Sequence, residues 1–92
     1  MGSQYPKTIQ AAVDILMFEL SDRDKETIRN TAEEQLHTLH LSLGDHIRKS
    51  FGLWRSNREL LMACCPDSNR RNADEASMVI IKALRSKLQP VQ

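Results

Sequence analysis

A hydrogen-bonding side chain followed three residues later by a carboxylate recurs along this chain, as Ser21 with Asp24, Thr31 with Glu34, Ser56 with Glu59 and Asn72 with Glu75. That spacing marks a helix start. The first side chain accepts an opening-turn N–H that no intrahelical carbonyl reaches, and the acid complements the positive end of the helix dipole. Thr8, two residues after Pro6, is a further N-cap without the acid. So many starts in 92 residues leave little room for strands. They point to an all-α fold, a compact single-domain bundle of four to five short helices with an ordered core over about residues 5–89.

The apolar residues between these starts recur at helical spacing, which places helices at about 9–20, 22–29, 32–51, 57–65 and 73–89. Ile9, Ala12, Val13, Leu16, Met17 and Leu20 share one face, and Ile15 and Phe18 widen it, so the first helix is expected to be covered on more than one side. Leu36, Leu39, Leu43, Ile47 and Phe51 run along what should be the longest helix, opened by Thr31 and closed by Gly52 as its left-handed residue. Gly44 inside that helix costs about 0.5–1 kcal/mol relative to Ala. Close approach of another helix would offset this, with a functional kink as the alternative. Leu60, Leu61 and Cys64 carry the next short helix. Pro66 to Asn72 reads as a loop, and Ala76, Val79, Ile80, Ala83, Leu84 and Leu88 line the last helix.

Aromatics make up only 4% of the chain, which also favours a helical core built from aliphatic side chains. No apolar run is long enough to span a bilayer, and Met1-Gly2-Ser3-Gln4 lacks the basic-then-apolar order of a secretory leader. A cytoplasmic location without membrane attachment is therefore expected. Cys64 and Cys65 are adjacent, a poor geometry for a mutual disulfide, and are read as reduced. Charge is polarised: residues 1–45 carry four Lys or Arg against eight Asp or Glu, and residues 46–92 carry nine against four, giving −4 and +5. That polarity could operate within one chain or between chains, so oligomeric state stays open.

Arg48, Lys49, Arg55 and Arg58 flank the turn Phe51-Gly52-Leu53-Trp54. With Asn57 they make a polar, basic rim beside an aromatic turn. Trp with nearby Arg is typical of interface hot spots, so Arg48, Trp54, Arg55, Asn57 and Arg58 are the candidate partner-binding residues, with another protein as the partner. The plainer reading has Phe51, Leu53 and Trp54 as a buried plug against Leu60 and Leu61. The same cations could meet phosphates, but a pI near 7.8 lies below the value above 9 usual for nucleic-acid-binding domains. His37 and His40 lie three apart, yet no paired C-x-x-C or H-E-x-x-H accompanies them. A core role for His40 and solvated roles for His37 and His46 are expected, with no metal or other cofactor. No nucleophile elbow or phosphate loop is present, and the acids fall mostly at helix starts, so no catalytic residue is assigned. A low-pKa thiol at Cys64 or Cys65 is the one reactive alternative.

The string Leu39-His40, Leu43-Gly44, Ile47-Arg48, Phe51-Gly52-Leu53-Trp54, Asn57, Leu60-Leu61, Cys64, Ala76-Ser77, Val79-Ile80-Ile81 and Leu84, preceded by Tyr5-Pro6-Lys7-Thr8, resembles a family of short bacterial helical domains of unknown function. The likeness covers about Tyr5 to Leu88. It implies a small helical module without transferable catalytic residues. The family pattern has Asn near Lys49 and Ser50, Gly near Ser56 and an aromatic near Arg85, and this chain departs there. The resulting functional expectation is a non-catalytic protein-interaction module, with an immunity- or antitoxin-like inhibitor of a partner toxin as one form of it and a nucleic-acid binder as the alternative.

Overall fold

A computed structural model describes residues 5–53, 57–66 and 72–89, with His40 described by its backbone alone. In chain order it contains α1 (Ile9–Glu19), α2 (Asp22–Asn30), a 3-10 segment (Glu33–Leu39), a π segment (His40–Gly44), α3 (Asp45–Ser50), α4 (Arg58–Cys64) and α5 (Ala73–Leu88). The fold is all-α, with no strand among the described residues.

Three of the expected caps close as the sequence implies. Thr8 Oγ1 accepts from Ala11 N at 3.0 Å, Ser21 Oγ from Asp24 N at 3.1 Å and Asn72 Oδ1 from Glu75 N at 2.8 Å. At α4 the cap is Asn57, whose Oδ1 accepts from Leu60 N at 3.3 Å, one residue beyond the Ser56 of the sequence pattern.

The long helix expected over 32–51 is instead a run that changes pitch twice, and α5 is the longest regular helix. Thr31 explains how the run begins. Its hydroxyl donates back to Thr27 O at 2.6 Å and its carbonyl accepts from Arg85 Nε at 2.6 Å, so Thr31 closes α2 instead of capping the next turn. Without that cap the chain tightens into a 3-10 stretch, held partly by Thr38 Oγ1 donating to Gln35 O at 2.7 Å. The run ends as expected: Gly52 has φ 67°, and Leu53 N reaches back to Arg48 O at 3.1 Å, the bond of a Schellman close.

α5 is the central element, packed against α1, α2, α3, α4 and the 3-10 and π segments. Encirclement explains why Ser77 and Ile81, outside its single expected stripe, are buried alongside Ala76, Ile80 and Leu84. The core continues through Ala12, Val13, Leu16, Ile28, Leu36, Ile47, Phe51, Leu53 and Leu60. Its outer ties include Lys87 with Asp14 at 3.5 Å and Gln89 Nε2 donating to Arg29 O at 3.0 Å. Phe18 departs from the expected cover on α1: it is 91% exposed, because Ile15 and Met17 already fill the flanks of the inward stripe.

Candidate interaction site

Of the five sequence-derived contact residues, Arg48 and Asn57 are internal. Arg48 is 4% exposed. Its Nη1 donates to Ser77 Oγ at 3.0 Å and its Nε lies 3.6 Å from Asp74 Oδ1, so it ties α3 to the first turns of α5. Gly44 makes this possible, since a Cβ there would stand 2.9 Å from Arg48 Nη1 and 3.6 Å from Ser77 Oγ. The close approach expected at Gly44 is therefore that of α5 and of the arginine one turn ahead.

Asn57 is also internal, at 5% exposure. Its Nδ2 donates to Pro6 O and to Phe51 O, each at 2.8 Å, while its Oδ1 caps α4. One amide thus joins the N-terminal strap, the Gly52 turn and α4. The strap is pinned again by Lys7 Nζ to Glu59 Oε1 at 2.6 Å, and the Tyr5 ring lies against Gly52, where a Cβ would come within 2.6 Å of Cε2. The Tyr-Pro-x-Thr opening and the Phe-Gly-Leu turn are therefore two halves of one structural corner. Arg58 is exposed, and Trp54 and Arg55 lie outside the described residues.

His37 and His46 are exposed, as expected, and the His40 side chain lies outside what is described. Among the described residues no three His, Cys, Asp or Glu gather closely enough to hold a metal ion. Cys64 and Cys65 are both buried. Burial, and secondarily the neighbouring Cys65, push the Cys64 thiol up to about 12, opposite to the shift an attacking thiolate needs.

A concave site lies elsewhere. Between the α1–α2 corner and the π segment is a groove of about 530 Å³ lined by Glu19, Leu20, Asp24, Thr27, Ile28, Leu39, Ser42, Leu43 and His46. Leu20, Ile28, Leu39 and Leu43 supply its apolar lining. Glu19 and His46 meet there, with Oε1 3.4 Å from Nε2. Among the described residues no Lys or Arg lines the groove.

The groove has a local cause. α2, Asp-Arg-Asp-Lys-Glu-Thr-Ile-Arg-Asn, contains a single apolar residue, Ile28, and therefore makes only one deep contact. A helix anchored at one point cannot cover the neighbouring stripe, and Leu39 and Leu43 stay only partly buried. The pairing of a near-polar helix with a stripe it cannot fill is the sequence signal that could have exposed this site. Leu39 and Leu43 instead read as ordinary core. The π segment supplies Ser42 and Leu43 to one wall, and such pitch changes are rare and concentrate at functional sites.

Residues 5–88 match the family described as Domain of unknown function (DUF6794). No curated protein and no solved structure matches the chain.

Proposed function

From a chain that belongs to the Domain of unknown function (DUF6794) family, we propose a small bacterial, cytoplasmic protein-interaction module that acts by binding and carries out no catalysis. The observation that carries this reading is the groove beside α2, an apolar lining with polar groups from both walls. Such a concavity suits side chains of a partner, which desolvate against Leu39 and Leu43 while polar groups set register. Leu41, 84% exposed within the π segment, and Phe18 add apolar surface of the kind that a partner can cover. Two buried cysteines accord with a reducing setting, and among the described residues no helix is long and apolar enough to cross a membrane.

The contact surface moves accordingly from the arginine-rich turn to the groove, because Arg48 and Asn57 already use their polar atoms inside the fold. Quantitative capture from the producing cells with wild type, Ser42→Trp and Arg58→Ala tests it. Ser42 is exposed at the groove wall, so Trp there fills the opening without entering the core. The reading predicts loss of the partner with Ser42→Trp and retention with Arg58→Ala. The reverse pattern returns the interface to the basic turn.

A further inference from the structure

Electrostatics narrows the occupant. Two carboxylates, Glu19 and Asp24, line the groove, and among the described residues its one basic side chain is His46, already beside Glu19. Asp24 has no ion-pair partner among the described residues, and Glu33 and Glu34 add exposed negative charge at the start of the same run. Asp24 also sits in the first turn of α2 and complements its dipole, but its side chain still forms part of the groove wall. The volume lies within the roughly 300–1,000 Å³ usual for ligand pockets, room for more than a single methyl contact.

We propose that the groove binds a basic amphipathic peptide segment of another protein: bulky apolar side chains seated on Leu20, Ile28, Leu39 and Leu43, flanked by Lys or Arg that meet Glu19 and Asp24. This rests on the interaction reading above and specifies its partner. Charge complementarity supports it over two competing occupants. An anionic lipid surface is repelled by the same carboxylates. A second copy offers less, since among its described exposed large apolar side chains Phe18 adjoins Glu19 and Leu41 adjoins Ser42, and only the half-exposed Met62 has a cation, Arg58, one helical turn away.

The test uses three synthetic peptides with one shared Leu and Phe anchor pair, flanked by Lys, Gln or Glu. Binding is followed by fluorescence anisotropy at low and high salt and by amide chemical shifts of the whole protein. The Lys peptide is expected to bind about tenfold tighter than the Gln peptide, as two partly exposed charge pairs allow, with the Glu peptide weakest and the gap narrowing as salt rises. Shifts should centre on Ile28, Leu39 and Leu43. Glu19→Gln with Asp24→Asn should close the Lys–Gln gap. Equal binding of all three peptides overturns the charge assignment while leaving the groove as a docking site. Absence of groove shifts with every peptide, or binding indifferent to Ser42→Trp, overturns both. A sedimenting dimer dispersed by Ser42→Trp assigns the groove to a second copy and overturns the proposal.

Discussion

Arg48 donates from Nη1 to Ser77 Oγ at 3.0 Å inside the core, and Ser77 Oγ donates onward to Asp74 O at 2.9 Å. A guanidinium held this way fixes the end of the pitch-changing run against α5, and through that run it sets the groove's π-segment wall. The arginine that looked like a surface contact is thus an internal tie.

Removing Ser77's hydroxyl takes one acceptor from a buried charged donor. Ser77→Ala should destabilise by about 1.5–3 kcal/mol, the range for hydrogen bonds to charged groups. Arg48→Lys keeps the charge but loses the planar fork and should not restore the wild-type midpoint. Urea denaturation followed by circular dichroism measures both.

Asn57 allows a sharper test, because Asp caps a helix as well as Asn does. If capping were its whole role, Asn57→Asp would be nearly silent. Since its Nδ2 serves the carbonyls of Pro6 and Phe51, Asp places a carboxylate against two acceptors. Asn57→Asp should be at least as destabilising as Asn57→Ala, by about 2–4 kcal/mol for the lost bonds. Thermal unfolding of the two variants ranks them.

Gly52 combines φ 67° with a Tyr5 ring where its Cβ would go. Gly52→Ala should lose about 1–3 kcal/mol from backbone strain and the forced movement of the ring. Only the second part depends on Tyr5. In a Tyr5→Ala background the same substitution should cost less, and a double-mutant cycle by chemical denaturation reads the difference.

The raised Cys64 pKa has a definite sign for stability. A thiol titrating near 9.0 in the unfolded chain and near 12 in the fold favours folding fully below about pH 9 and loses that contribution as pH rises toward 12. Alkaline unfolding should therefore steepen over that interval, and Cys64→Ala should flatten it. In native protein at pH near 8, alkylation of Cys64 should follow global unfolding in its denaturant dependence, as mass spectrometry can show.

Helix starts at Thr8, Ser21 and Asn72 were legible because a cap is a local device, complete within four residues. The Gly52 close was legible for the same reason. Thr31 carried the same signature yet took another partner, Arg85, from the far end of the chain, which short-range spacing does not reveal. Arg48 was misplaced for a similar reason: its burial needs Gly44 one turn back and Ser77 on α5. The groove lay furthest from view. Its residues come from α1, α2 and the pitch-changing run, and its existence depends on how little α2 can cover.

Site-specific photo-crosslinking most directly tests whether binding belongs to the groove. A photoreactive side chain at Ser42, on the groove wall, is compared with one at Lys82, exposed on α5. In the producing cells the Ser42 probe should yield a covalent adduct with a partner segment rich in Lys or Arg around apolar residues, and the Lys82 probe should not. Equal adducts from both positions, or adducts from Lys82 alone, would contradict the account.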